Sequence, residues 1–107
     1  MLVRRKTERS WMPMAGEGIE FCGLRQNGTN GGAGLVRIKK GARFPTHNHP
    51  GWEEVIVISG VVIIGGNRLV AGDYLFTQAG EKHDATAEEE TIFFVSSEKG
   101  IEIVEGG

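Results

Sequence analysis

The sequence predicts an all-β domain, a sandwich or barrel of short strands. Seventeen glycines are scattered through 107 residues and cut the chain into short pieces. Those pieces are rich in Val, Ile, Phe and Leu, and no window sustains a helical apolar period. Short strands recurring at this spacing between Gly-rich turns are what sandwiches and barrels are built from.

Taken in order, residues 1–10 hold Arg4, Arg5, Lys6 and Arg9 and are expected to form a solvated basic arm. After "GEG" the first strand is expected at 19–25, "IEFCGLR". The run "NGTNGGAG" that follows has no Lys-Ser/Thr and no GxGxxG, so it is expected to be a flexible connection and not a phosphate loop. The next strand is expected at 34–39, "GLVRIK". Pro50 and Gly51 favour a turn, which opens the apolar strand 53–58, "EEVIVI". Strands 61–64, "VVII", and 67–70, "NRLV", read as a hairpin, because Gly65 and Gly66 can supply the positive φ angles of a two-residue turn. Strand 73–77, "DYLFT", comes next, and Glu88, Glu89 and Glu90 form a solvated turn before 91–96, "TIFFVS". A last strand is expected at 101–104, "IEIV". No repeat and no linker divides the chain, so a single domain is expected.

A formal charge of −2 and a pI of about 5.9 give no general polyanion-binding surface, so no nucleic-acid partner is expected. No stretch approaches the length of a membrane span, and the N-terminus lacks the apolar core of a signal peptide. Cys22 stands alone, which excludes an internal disulfide and a CxxC site and suits a small core residue in a reducing compartment. A cytoplasmic protein without a membrane partner is therefore expected.

The residues that suggest chemistry are the three histidines, His47, His49 and His83. On an extended segment His47 and His49, two apart, leave the same face, so one metal ion could take both. If Glu53 points inward, Val55, Val57 and Ser59 follow it, while Glu54, Ile56 and Ile58 face the other way. His83 follows the strand "GDYLFT", which in a barrel can lie beside 53–58 and complete a set of three histidines and a glutamate. The competing reading is three unrelated surface or hydrogen-bonded histidines, and spacing alone leaves both open. Ser59, Ser96 and Ser97 have no spare histidine to act as base, which argues against a Ser-His-Asp nucleophile. Trp52 and Tyr74 are expected to pack in the core or to line the lip of a site.

The segment "GARFPTHNHPGWEEVIVISG", residues 41–60, resembles the first cupin motif, with Gly41, His47, His49, Glu53 and Gly60 at its fixed positions. The segment "GDYLFTQAGEKHDATA", residues 72–87, resembles the second at Gly72, Gly80 and His83. It departs at Gln78, where the family has Pro, and at Ala87, where it has Asn. More loosely, Trp11, "GIEFCGLR" and "HNHPGWEEVIVISG" look like the cupin domain of ChrR-type anti-sigma factors and the related acetylacetone-dioxygenase-like cupins. The resemblance implies a double-stranded β-helix, the cupin jelly-roll barrel. It implies one divalent metal ion, with its ligands falling on His47, His49, Glu53 and His83. Glu54 is the rival to Glu53, and the six-residue distance to Gly60 favours Glu53.

Three imidazoles and a carboxylate suit Fe, Mn, Ni, Co, Zn or Cu, and leave an octahedral ion two open positions at a formal site charge of about +1. That favours a small anionic chelator such as an enolate or hydroxy-carbonyl compound, in a small apolar pocket walled by Trp52, Val55, Val57 and Tyr74. Two function classes follow. One is a metal-dependent enzyme, dioxygenase-like; the other is a binding or sensing module like the ChrR-type cupin, without turnover. The anti-sigma version would need an N-terminal helical zinc-binding region, for which the residues before 19 are too few. Ile56 and Ile58, with "IFFV" at 92–95, require cover on both faces of their sheet, and a homodimer is expected.

Overall fold

A computed structural model describes residues 1–105 of the chain. A 3₁₀ turn at Lys6–Glu8 precedes eleven strands: β1 Met12–Pro13, β2 Ile19–Gln26, β3 Gly32–Ile38, β4 Arg43–Asn48, β5 Glu53–Ser59, β6 Val61–Ile64, β7 Asn67–Val70, β8 Tyr74–Thr77, β9 Lys82–Ala87, β10 Thr91–Ser97 and β11 Glu102–Ile103. They form two antiparallel sheets, one in the order β1-β2-β3-β10-β5-β8 and the other β11-β4-β9-β6-β7. This is the jelly-roll barrel of the cupin fold, in one domain. No helix of the described residues is long and apolar enough to cross a membrane.

Alternation along the strands sends one set of side chains between the sheets. On β5 that set is Glu53, Val55 and Val57, all buried, while Ile56 and Ile58 stand about half exposed on the outer face. The core packs Ile19, Val36 and Ile38 from the first sheet against Phe44, Val62, Ile64 and Ala85 from the second. Gly65 and Gly66, at φ +56° and +81°, make the β6–β7 hairpin turn that the sequence announces.

Three strands lie where the sequence reading has none: β1, β4 and β9. β4 carries Pro45, which central strands exclude for want of an N–H. Here the β4–β9 register shifts between Phe44 and His47, and on its other side β4 meets only the two-residue β11, at Asn48 and His47. Pro45 therefore sits where no ladder bond is required. The Gly-rich connection is shorter than expected, since β3 starts at Gly32, two residues before the expected start at Gly34. A Cβ on Gly34 would lie 2.4 Å from the Phe21 ring, so this glycine lets an aromatic ring lie across the neighbouring strand.

The basic arm is fixed at its ends. The Arg37 guanidinium, ion-paired to Glu20 at 2.8 Å, stacks 4.1 Å above the Trp11 ring. Nearer the start, Arg4 Nε donates to the Leu24 carbonyl at 3.0 Å.

Candidate metal centre

Two of the three strands that the sequence does not announce, β4 and β9, are the ones that bring the histidines together. β4 and β9 pair antiparallel with His47 directly opposite His83. His49 lies one residue past β4, and its backbone is clamped by the 78–81 turn: its N–H donates to the Glu81 carbonyl and its own carbonyl accepts from Gly80 N at 2.7 Å. Glu53 opens β5 in the opposite sheet, so the site spans the interior of the barrel.

One donor atom from each of His47, His49, Glu53 and His83 lies within 4.8 Å of the others. His47 Nδ1 faces the Pro45 carbonyl at 2.8 Å, and His49 Nδ1 faces the Glu81 carbonyl at 2.7 Å. A carbonyl can only accept, so both Nδ1 atoms carry a proton, and in the neutral ring Nε2 is left as the atom with the lone pair. His49 is fully buried, and its Nε2 has no hydrogen-bond partner. Glu53 Oε1 stands 3.5 Å from that atom, an ion-pair distance too long for a hydrogen bond. A buried ring nitrogen without a partner is costly, and beside a carboxylate and two further imidazoles it is placed where a cation could be held. The donor set fits a divalent ion of the borderline class.

Burial pushes His83 down to about 4, helped by the neighbouring His49 and His47, and burial also lowers His47. For His49 burial acts downward too, but Glu53 and the Glu81 carbonyl outweigh it and hold its pKa above the ordinary value. At neutral pH His47 and His83 are therefore neutral imidazoles, the form that ligates a metal.

The departure at Gln78 has a structural use. Its backbone N–H donates to Glu81 Oε2 at 2.6 Å, which a proline could not do, and Glu81 is the residue whose carbonyl orients His49. Trp52, between His49 and Glu53, is held through its peptide: Glu98 N donates to its carbonyl at 2.9 Å, and its own N–H donates to Glu98 Oε1 at 3.3 Å.

A cavity of about 680 Å³ leads from the surface to His47, Glu53 and His83, with Val55, Phe44 and Phe93 among its walls. It is larger than the small pocket expected from the sequence, and lies within the usual range for organic-ligand sites. Of the four expected wall residues, Val55 lines it. Val57 is buried in the core beyond its wall, and Trp52 and Tyr74 lie outside it. Tyr74 is on the outer face, where its hydroxyl donates to Glu54 at 2.7 Å. Glu54 thus faces away from the histidines. Arg4 and Arg25 line the cavity; the sequence places the first in an expected solvated arm and the second at the end of an expected strand and, beyond the positive charge of that arm, signals neither role.

The family described as the ChrR Cupin-like domain matches residues 1–100. An Arabidopsis thaliana protein described as a DNA damage-repair/toleration protein is 37% identical over 68 residues, 58% of this chain and 22% of that protein. The chain thus spans about a fifth of the length of that relative. Among solved structures, an acetylacetone dioxygenase from Acinetobacter johnsonii superposes with a TM-score of 0.82 at 18% identity, over 98% of this chain and 77% of the other. A chain of the complex of Rhodobacter sphaeroides SigE with the anti-sigma ChrR superposes with a TM-score of 0.77 at 27% identity, over 89% and 52%.

Proposed function

The chain belongs to the ChrR cupin-like domain family, and on that premise we propose that it holds one divalent ion on His47, His49, Glu53 and His83 and acts on a small enolate or hydroxy-carbonyl compound, dioxygenase-like. The observation that carries this reading is the orphaned Nε2 of His49, buried among three other converging donors. A bound ion would supply Lewis acidity and neighbouring positions for chelator and O₂. The chain's own contribution is to fix the donors. The Pro45 and Glu81 carbonyls set the tautomers of His47 and His49, and Val55, Phe44 and Phe93 keep the inner cavity apolar, which strengthens electrostatic contacts within it.

A second reading, a metal-dependent binding or sensing module without turnover, is supported by the higher identity to the ChrR complex chain, 27% against 18% for the dioxygenase. Elemental analysis of protein purified without chelator, beside a His47→Ala variant, tests both. Near-stoichiometric iron or manganese that the variant loses, with O₂ uptake on β-diketones, supports the enzyme. Stoichiometric zinc without uptake supports the sensor. No metal after reconstitution refutes the ligand assignment. A homodimer through the outer face of β5 and β8 belongs to the same proposal, supported by the half-exposed Ile56, Ile58 and Phe76.

A further inference from the structure

The cavity has two ends with different chemistry. At the inner end are the imidazoles and Glu53; at the open end are two arginines, Arg4 from the arm and Arg25 from β2, both exposed to solvent. Among the described residues Glu53 is the only carboxylate that lines it. Among the described residues neither arginine has a carboxylate partner, whereas Arg37, Arg43 and Arg68 are each ion-paired. Two unneutralised guanidinium groups therefore converge on the mouth of a cavity whose other end would carry a metal.

Both arginines are pinned without being consumed. The β2–β3 register shifts between Gly23 and Arg25, leaving Leu24 without a cross-strand partner, as in a β-bulge. The bulge breaks the alternation of β2, so that Gly23, Leu24 and Arg25 all reach the cavity. The Leu24 carbonyl takes Arg4 Nε at 3.0 Å, which leaves both Nη groups of Arg4 free to bind elsewhere. Arg25 Nη1 donates to Asn27 Oδ1, and Asn27 Nδ2 is held in turn by the Ser97 carbonyl at 3.2 Å. Arg25 keeps its Nε and Nη2 hydrogens. Pre-positioned guanidinium groups with free parallel N–H donors bind carboxylates well, because little side-chain freedom is lost on contact.

We propose that the ligand is a two-headed organic acid, with a metal-chelating oxygen pair at one end and a carboxylate held by Arg4 and Arg25 at the other. This rests on the metal-site reading above and narrows it, from any small enolate to one with a distal acid across an apolar body. Arg4 and Arg25 are the residues that set that preference, and the arm is part of the site.

The test uses the nickel-loaded chain, titrated by calorimetry at fixed ionic strength with benzoylacetone and with its para-carboxylate analogue. The carboxylate analogue is expected to bind about tenfold more tightly, the gain of a charge-assisted contact at a half-open site. Arg4→Gln and Arg25→Gln should each bring the ratio close to one while the nickel stoichiometry stays the same. Arg9→Gln, an equal change of charge elsewhere on the arm, should leave the tenfold preference intact. Equal affinity of the wild-type protein for both probes overturns the inference while leaving the metal reading in place. So does a loss of preference in Arg9→Gln as large as in the other two, which would point to a diffuse field. Failure to take up nickel overturns the metal-site reading and this inference with it, and nickel uptake without binding of either probe overturns this inference and the enolate reading while leaving the metal site in place.

Discussion

Gly51, in the "HPGWE" segment between His49 and Glu53, invites a substitution with a calculable outcome. It is buried, and its φ is not among the positive ones, so the glycine is not there for backbone freedom. A Cβ at this position would lie 2.5 Å from Glu98 Oε1 and 2.9 Å from Glu98 Cβ. The carboxylate could swing away, losing its bond from Trp52 N, at a cost of about 1 kcal/mol. The Cβ of Glu98 is tied to its backbone and cannot, which adds about 2 kcal/mol of overpacking. Gly51→Ala should therefore cost about 3 kcal/mol, a fall in Tm of about 15 °C for a domain of this size. In a Glu98→Gly background the obstruction is gone, and the same substitution should be neutral or stabilise by about 0.5 kcal/mol through the unfolded chain. Thermal melts of the four proteins by circular dichroism measure the coupling. Nickel affinity should fall about tenfold in Gly51→Ala, because the displaced turn carries a donor at each end. If the two substitutions add, with the same drop in Tm from Gly51→Ala in both backgrounds, close packing against Glu98 is not the reason for this glycine.

The histidines make metal-free stability depend on pH. With His83 near 4 when folded and about 6.5 when unfolded, the unfolded chain binds the extra proton, so stability is full above pH 6.5 and lost as pH falls towards 4. The full shift corresponds to about 3 kcal/mol, reduced to about 2 by the partial exposure of His83. His47 adds in the same direction, whereas His49, with its raised value, acts oppositely, contributing stability below pH 6.5 that is lost at higher pH. Melts of metal-free protein between pH 7 and 5 should show a falling Tm, less steep in His83→Gln; equal slopes would refute the assignment. Sedimentation at micromolar concentration should show a dimer, converted to monomer by Ile56→Glu with Phe76→Glu, and a wild-type monomer would refute that expectation.

Much of the barrel was legible because β5, β6, β7, β8 and β10 announce themselves by apolar content and glycine boundaries. β4 and β9 did not, since their inward positions are taken by Phe44 and His47 in one, and by His83, Ala85 and Ala87 in the other. A strand whose inner face holds ligands and small residues loses the apolar alternation by which strands are recognised. The four residues that converge were nevertheless singled out beforehand, as a set by their resemblance to the cupin motifs, which needs no strand boundaries. What could not be read was the role of Arg4 and Arg25, because it depends on a bulge at Leu24 and on a carbonyl twenty residues away. Nor could the reason for Gly51, which resides in Glu98, far along the chain.

The donors come from both walls of the barrel, His47 and His83 from one sheet and Glu53 from the other, and the distance between the walls is set by what is packed between them. Because such interiors are close-packed, a core residue as remote from the cavity mouth as Val62 or Val57 acts as a shim whose thickness fixes the bite of the four donors. Exchanging one methyl group there would adjust the fit of the proposed site to ions of different radius without touching a donor, so its ion preference would be open to tuning from the far side of the core.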